Sequence, residues 1–140
     1  MTKSIICAGF GGQGIMFTGK LLGYAAMKLG YKVTWISSYG AEARGGSAHC
    51  MLVISDEDIP SPVIEKPDIC IAMNGPSFEK FKNSLNKRGL IILNSSLIGE
   101  SEPLKKSIRV IRVPMTGIAS SMGNIKVANM VALGAMLLGD

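Results

Sequence analysis

Charged and aromatic residues are scarce in this chain of 140 residues. Charged residues make up 18% and aromatic residues 6% of the sequence, whereas typical globular domains are about 25% charged. Because a solvent-facing surface normally carries many charged groups, this scarcity indicates that part of the surface is covered by a partner. Hydrophobic residues make up 47%, enough for one core, so we expect a single domain over residues 1–140.

Cysteine motifs for metal binding are also missing. Cys7, Cys50 and Cys70 are odd in number, far apart in sequence and form no Cys-x-x-Cys pair. Each lies in an apolar run typical of a strand, so we expect three buried free thiols. His49 is the only histidine, and inside a strand we expect it to be packed rather than catalytic. The chain alone is therefore expected to hold neither zinc nor an iron–sulfur cluster.

Targeting and membrane-spanning segments are not visible in the sequence. The start, Met1-Thr2-Lys3-Ser4, runs directly into a strand pattern without a long apolar segment or a small-residue cleavage site. No apolar run approaches a membrane span. The net charge of +5 favours anionic partners in general, but the basic residues are scattered apart from Lys87-Arg88 and Lys105-Lys106. We therefore expect a cytoplasmic protein that binds neither nucleic acid nor membrane.

Short apolar runs alternate with helical patterns along the chain. Strands are expected at residues 4–8, 32–37, 47–55, 68–73, 89–93 and 107–113, and helices at residues 15–29, 76–85, 115–122 and 126–138. The first forty residues predict a β-loop-α-β unit with two neighbouring parallel strands and a right-handed crossover. The whole pattern predicts an α/β fold, a Rossmann-like three-layer open sheet that is mostly parallel with helices on both faces.

The pattern also predicts two helix ends, an edge strand and a buried helix. Gly30 and Gly123-Asn124 are expected to end the helices that precede them. The strand at 107–113 carries two arginines among its apolar residues, so we expect it near a sheet edge. The helix at 126–138 is apolar nearly all round, so we expect it to be buried on several sides.

A glycine loop, Gly9-Phe10-Gly11-Gly12-Gln13-Gly14, joins the first predicted strand to the first helix. Its spacing is that of a dinucleotide-binding loop, and the helix N-terminus offers N–H groups to an anion. However, Ser37 and Ser38 stand where an acidic residue would bind a ribose hydroxyl, which disfavours NAD. A P-loop is disfavoured as well, because Ile15-Met16 replaces its Lys-Ser/Thr ending.

Three interpretations of the glycine loop stay open. Its glycines serve only a tight turn and strand–helix packing, or the loop is an anion site, or it is a subunit contact. In the last two cases Gln13, at the helix start, can reach a ligand or a neighbouring chain.

A second loop, Tyr39-Gly40-Ala41-Glu42-Ala43-Arg44-Gly45-Gly46, follows the second predicted strand and is expected at the same sheet edge. Arg44 can bind phosphate or carboxylate with both arms of its guanidinium. An ion pair of Arg44 with Glu42 or with a neighbouring subunit is equally compatible with the sequence. Asn94-Ser95-Ser96 reaches the same edge if its strand is parallel, or it forms only a turn.

Neither loop supplies a nucleophile with an activating base, so no catalytic residue is expected. The candidate ligand-facing residues are Gly9, Gly11, Gly12, Gln13, Gly14, Tyr39, Glu42, Arg44, Gly45 and Asn94.

Four motifs together resemble the gamma subunit of 2-oxoacid:ferredoxin (acceptor) oxidoreductases, nearest to the 2-oxoglutarate and branched-chain types. The motifs are the glycine loop, the segment 38–46, Asn94-Ser95-Ser96-Leu97, and Gly123-Asn124 ahead of Asn129-Met130-Val131-Ala132-Leu133-Gly134. The resemblance covers essentially the whole chain. Relatives of this kind usually continue for some tens of residues beyond the last helix, so a truncation at the C-terminal end stays open.

The resemblance implies a subunit that is inactive alone. It also implies an enzyme that oxidatively decarboxylates a 2-oxoacid, with 2-oxoglutarate as the expected substrate, to an acyl-CoA. Thiamine diphosphate, iron–sulfur clusters and coenzyme A are implied on or between the alpha and beta subunits and, where present, delta, with ferredoxin or a similar acceptor. The gamma chain is implied to help form the coenzyme A and partner interface. The alternative is a free-standing Rossmann-like NAD(P)-binding oxidoreductase, motivated by the glycine spacing. Self-association of the isolated chain stays open.

Overall fold

The computed structural model describes residues 1–10, 14–39, 47–99 and 104–139. Its strands are β1 (Thr2–Phe10), β2 (Lys32–Tyr39), β3 (Ser47–Ser55), β4 (Ile69–Ala72), β5 (Leu90–Asn94) and β6 (Arg109–Val113). Its helices are α1 (Ile15–Lys28), α2 (Gly75–Phe81), α3 (Met115–Ser121) and α4 (Ala128–Gly139), with a 3₁₀ turn at Ile125–Val127 before α4.

The six strands form one sheet in the order β2-β3-β1-β4-β5-β6. The pairs β1–β4, β4–β5 and β5–β6 are parallel, whereas β3 is antiparallel to both of its neighbours. Since β1 and β2 are each antiparallel to β3, they point the same way, so only β3 runs against the other strands. The predicted α/β class with a mostly parallel sheet is confirmed.

The predicted neighbouring pair of β1 and β2 is wrong, because β3 lies between them. β2 pairs with β3 from Lys32↔Ser55 to Tyr39↔Ala48, and β3 pairs with β1 along its whole length. The crossover through α1 fixes the direction of β2 but leaves room for a strand between β1 and β2. β3 suits this interior place because both of its faces carry buried side chains, including Leu52 and Val53.

Helices cover both faces of the sheet. Helices α1, α3 and α4 pack on one face through Ile15, Met115, Ala119, Ala128, Ala132 and Met136, against Ile5, Cys7, Leu52, Ile71 and Ile92. On the other face lie Phe78 and Phe81 of α2 together with Ile64 and Ile98, against Ile6, Ala8, Cys70 and Leu93. The three-layer arrangement predicted from the sequence is therefore present.

Two helices end just before a glycine with a positive φ. After α1, Tyr31 N–H donates to the Ala26 carbonyl at 3.1 Å and Gly30 N–H to the Met27 carbonyl at 3.0 Å, which is the Schellman arrangement with Gly30 at φ 91°. Gly123, at φ 89°, follows α3. Both predicted helix ends are confirmed.

The outer strand β6 confirms the expectation of an edge strand with two arginines. Arg109 donates to the Gly139 carbonyl at 2.9 Å and Arg112 to the Ile98 carbonyl at 3.3 Å. The burial predicted for the last helix is wrong at its end, since Leu137 is 65% and Leu138 92% exposed. Helix α4 packs on β5 and β6, and no described strand lies beyond β6 to cover its final turn.

The three cysteines are free and buried, as predicted. Cys7 and Cys50 face each other across β1 and β3, and the hydrogen bond of the Cys7 thiol to Cys50, together with burial, raises the pKa of Cys7. The same hydrogen bond lowers the pKa of Cys50, whose thiol also donates to the Ile15 carbonyl at 3.5 Å. Burial raises the pKa of Cys70 to about 12.

His49 is a packed residue, as expected. It is 8% exposed, and its ring stands edge-on to Phe81 with centroids 5.1 Å apart. Burial, followed by the nearby Lys80 charge, lowers the pKa of His49. Both surroundings thus disfavour the protonated form of the imidazole.

Helix α1 approaches the sheet closely because glycines face it. A Cβ on Gly19 would lie 2.5 Å from Cys50 Sγ and 2.8 Å from Trp35 Nε1, and one on Gly23 would lie 3.1 Å from Leu52 Cδ1. Gly134 of α4, by contrast, has no atom within 4 Å of the corresponding position.

Gly19→Ala is expected to lower the free energy of unfolding by about 1–3 kcal/mol, because the added methyl group overpacks the space between α1 and the sheet. Gly134→Ala is the matched control, and it is expected to leave stability unchanged or to raise it by up to about 1 kcal/mol through helix propensity alone. Urea unfolding followed by circular dichroism measures both. Stabilisation of similar size in the two variants would contradict the close approach at Gly19.

Candidate functional site

The carboxyl ends of β1, β4, β5 and β6 meet at one edge of the sheet, where helices begin. In this edge region lie Gly14 at the start of α1, Asn74 at the start of α2, Asn94 at the end of β5, Pro114 before α3 and Asn129 in the first turn of α4. Ligands of open α/β sheets bind outside the carboxyl ends of the strands. This edge is therefore the candidate site.

Asparagine side chains cap most of the helix starts in this region. Asn74 Oδ1 accepts from Ser77 N–H at 3.0 Å in α2, Asn94 Oδ1 from Met115 N–H at 3.0 Å in α3, and Asn124 Oδ1 from Lys126 N–H at 3.0 Å in the 3₁₀ turn. Such bonds satisfy backbone donors that have no partner inside the helix.

The start of α1 is built differently. Its cap residue is Gly14, which has no side chain to accept a hydrogen bond. Within the described ranges, no side chain accepts from the first N–H groups of α1. These donors and the positive end of the helix dipole suit an anionic group.

Asn94 is a structural junction. Its side chain is fully buried, and its Nδ2 donates to the Met73 carbonyl at 3.1 Å and to Thr116 Oγ1 at 2.9 Å. Its Oδ1 also accepts from Ser96 N–H at 3.2 Å, as in an Asx turn. Because all these bonds lie within the chain, any role of Asn94 in ligand binding would act through the position of α3.

Gly14 is held by a residue from the far end of the chain. Asn129 Nδ2 donates to the Gly14 carbonyl at 3.3 Å across 115 positions. Gly14 has a φ of 76°, and a Cβ there would lie 2.6 Å from Asn129 Nδ2. Sequence reasoning did not assign Asn129 to the site, and its place in the motif 129–134 was the only available signal.

The strands that precede the two predicted loops end at the same edge of the sheet. β1 ends with Phe10 opposite Ser47, and β2 ends with Tyr39 opposite Ala48, so the ends of β1 and β2 flank the start of β3. Gly9 is buried within β1.

Several predicted site residues lie outside the described residues, namely Gly11, Gly12, Gln13, Glu42, Arg44 and Gly45. The same holds for the Glu42–Arg44 pair, and Tyr39 is described only in its backbone. Ligand contacts by these side chains stay a prediction.

Neither a metal-binding group of side chains nor a membrane-spanning helix is found in the described ranges. There, no group of three His, Cys, Asp or Glu side chains is placed to hold a metal ion. No helix in those ranges combines the length and apolar character needed to cross a membrane.

Comparison with known protein families identifies the family of this chain. Residues 4–138 match the family described as pyruvate ferredoxin/flavodoxin oxidoreductase. The chain belongs to this family. The resemblance predicted from the motifs is thereby confirmed at the family level.

Two curated relatives show how the domain is used elsewhere in the family. The chain is 37% identical to the 2-oxoglutarate synthase subunit KorC of Methanocaldococcus jannaschii, over 97% of this chain and 74% of that protein. It is also 37% identical to the ketoisovalerate oxidoreductase subunit VorA of Methanothermobacter marburgensis, over 93% of this chain but only 27% of that protein. The chain thus spans about a quarter of the length of this second relative.

Solved structures of the family share the fold. The 2-oxoglutarate:ferredoxin oxidoreductase of Magnetococcus marinus, solved with 2-oxoglutarate, coenzyme A and succinyl-CoA bound, matches 96% of this chain with 24% of its own, at a TM-score of 0.89 and 26% identity. The keto/oxoacid ferredoxin oxidoreductase gamma subunit of Geobacter sulfurreducens matches 96% of this chain with 75% of its own, at a TM-score of 0.81 and 28% identity.

Asn94→Ala is expected to lower the free energy of unfolding by about 2–3 kcal/mol, because it leaves the buried Met73 carbonyl and the start of α3 without their partner. The control Asn86→Ala removes an exposed amide that donates to Asp68 Oδ1 at 3.0 Å, and it should cost less than about 1 kcal/mol. Urea unfolding compares the two. Equal losses would refute the junction role of Asn94.

Proposed function

We propose that this chain is the gamma subunit of a thiamine-diphosphate-dependent 2-oxoacid:ferredoxin oxidoreductase. The observation that carries the proposal is the family match over residues 4–138, supported by the shared fold of the solved gamma subunit from Geobacter sulfurreducens. The free-standing NAD(P)-binding alternative is not favoured, because these relatives are named as subunits of 2-oxoacid oxidoreductases and Ser37-Ser38 replaces the ribose-binding acid.

The enzyme would convert a 2-oxoacid, coenzyme A and two oxidised one-electron acceptors into an acyl-CoA, carbon dioxide, a proton and two reduced acceptors. Thiamine diphosphate and iron–sulfur clusters would lie on the alpha and beta subunits and, where present, delta. In the described part of this chain the ring of His49 is buried and stands edge-on to Phe81, which supports a packing role for this residue. The cytoplasm stays the expected compartment.

2-Oxoglutarate is the proposed 2-oxoacid. The relative named 2-oxoglutarate synthase subunit KorC is matched over 74% of its length, whereas the ketoisovalerate subunit is matched over 27%. A branched-chain 2-oxoacid is the second candidate. Since most groups that bind the substrate would lie on other subunits, assays must compare both acids.

The role proposed for this chain is to form part of the coenzyme A or partner interface at the carboxyl edge of the sheet. The start of α1, where the cap residue Gly14 has no side chain, supplies N–H donors there, and Asn129 Nδ2 donates to the Gly14 carbonyl. Phosphate groups of coenzyme A have the charge that such a helix start favours. The solved relative from Magnetococcus marinus contains bound coenzyme A, which supports this ligand class for the assembled enzyme.

Co-expression with the cognate alpha and beta chains is expected to yield a complex that oxidises 2-oxoglutarate with coenzyme A and ferredoxin, while the isolated chain has no activity. Activity is measured by reduction of ferredoxin or a viologen dye, with 2-oxoisovalerate as the comparison substrate. Calorimetric titration of the isolated chain with NAD and NADP is the control for the alternative. Failure to co-purify, or micromolar NAD(P) binding, would refute the gamma-subunit proposal.

Arg44→Ala in the assembled enzyme is expected to raise the apparent KM for coenzyme A roughly tenfold, as expected for loss of a hydrogen bond to a charged group, or to loosen assembly. The matched control is Arg88→Ala. Arg88 is exposed and precedes β5, so it lies at the amino ends of the parallel strands, away from the carboxyl edge. An unchanged KM together with unchanged assembly would show that Arg44 faces neither coenzyme A nor a subunit.

A further inference from the structure

Helix α1 exposes a stripe of large apolar side chains on the side away from the sheet. Phe17 is 58%, Leu21 37%, Tyr24 60% and Met27 61% exposed. Their spacing of three or four positions places them along one side of the helix. These four residues are called the α1 outer face below.

A groove continues this face toward the edge strand β2. It has a volume of about 250 Å³ and lies between Lys20, Gly23, Tyr24 and Met27 of α1 and Val33 and Trp35 of β2. Because Gly23 has no side chain, the groove reaches the partly buried Val33 and Trp35. An apolar side chain of another protein can be seated there.

The outer side of a helix on a monomer's surface is normally polar. Scattered exposed apolar residues need no explanation, whereas a contiguous apolar patch beside a groove marks an interaction surface. The α1 outer face combines two aromatic residues and a methionine, which are enriched at the centres of protein interfaces. It therefore has the composition of an interface.

The charges that α1 itself contributes beside this face are of one sign. Lys20 and Lys28 are the only charged residues of α1, and the helix contains no Asp or Glu. Lys20 Nζ lies 4.9 Å from the Trp35 ring centroid and Lys28 Nζ 5.4 Å from the Tyr24 ring centroid. Both ammonium groups thus border the apolar surface that a partner would cover.

A second copy of this chain is a poor occupant for the face. Two copies related by a two-fold axis would bring the same lysines toward one another with no carboxylate on either helix, and like charges disfavour such a contact. A different protein with an apolar surface bordered by carboxylates would pair with both the apolar stripe and the two lysines. The two lysines of α1 therefore favour a heterologous partner over a second copy.

We infer that the α1 outer face and its groove form the docking surface for an alpha or beta subunit that presents an apolar ridge bordered by Asp or Glu. This inference rests on the proposed function, which supplies the partner. In the ketoisovalerate relative the matched domain is 27% of a longer chain, so other polypeptide accompanies the domain there as well.

The first test compares two exposed methionines. Met27 lies on the α1 outer face, whereas Met122, which is 69% exposed, follows α3. Each is changed to Glu in the chain co-expressed with tagged beta and untagged alpha subunits, and the dissociation constant is measured by sedimentation of the purified complex. Met27→Glu is expected to weaken binding at least about tenfold, as at an interface centre, whereas Met122→Glu should change it less than about twofold.

The second test addresses the charge. Lys20→Glu should weaken binding and Lys20→Arg should retain it, while Lys87→Glu, in the turn before β5 and outside α1, serves as the control. Raising the salt concentration should weaken the wild-type complex more than the Lys20→Glu complex. Circular dichroism and the thermal midpoint of each isolated variant must match the wild type, so that a lost fold is not mistaken for lost docking.

The outcomes separate this inference from the function it rests on. If the wild-type chain fails to bind the alpha and beta subunits, the gamma-subunit proposal fails and the docking surface falls with it. If the wild type binds and Met27→Glu binds equally well, only the docking surface is refuted. Self-association of the wild-type chain that Met27→Glu abolishes would overturn the choice of a heterologous partner.

Discussion

The close contact between α1 and the centre of the sheet determines how the other parts of the molecule are arranged. Gly19 and Gly23 let the helix lie directly on Cys50, Trp35 and Leu52, so its inner side consists largely of backbone and small residues. Ile15 and Leu22 still pack inward, whereas Phe17, Leu21, Tyr24 and Met27 lie on the exposed side of the helix. The same contact fixes the start of α1 at Gly14, beside Asn129 of the last helix.

The two ends of α1 therefore differ in chemistry. Its C-terminus is closed by Gly30 within the chain, while its N-terminus has a cap residue without a side chain. Asparagines close α2, α3 and the 3₁₀ turn in the same region. Among the described residues, no side chain caps the start of α1, and the proposed coenzyme A interface uses that start.

Much of the fold follows from local patterns in the sequence. The glycine at 30, the strand-like run at 47–55 and the arginines of β6 each predict a structure that is present, because turns, strand runs and edges depend on nearby residues. Strand order does not follow from such local patterns. The crossover rule constrains the direction of β2 but not its neighbour, so it leaves the place between β1 and β2 open, and β3 lies there. Asn129 was missed for a related reason, since no spacing rule brings residues 115 positions apart together. For Gln13 and Arg44 the sequence remains the sole guide.

The arginines of β6 have a further consequence for the behaviour of the isolated chain. A sheet edge with unpaired backbone groups invites strand addition by other molecules, and charged side chains on the edge oppose it. Arg109 and Arg112 put two positive charges on a five-residue strand and hold the carbonyls of Gly139 and Ile98. β2, at the other edge, carries only Lys32, so insolubility on overproduction without partners would start on the side of β2 and α1 rather than at β6.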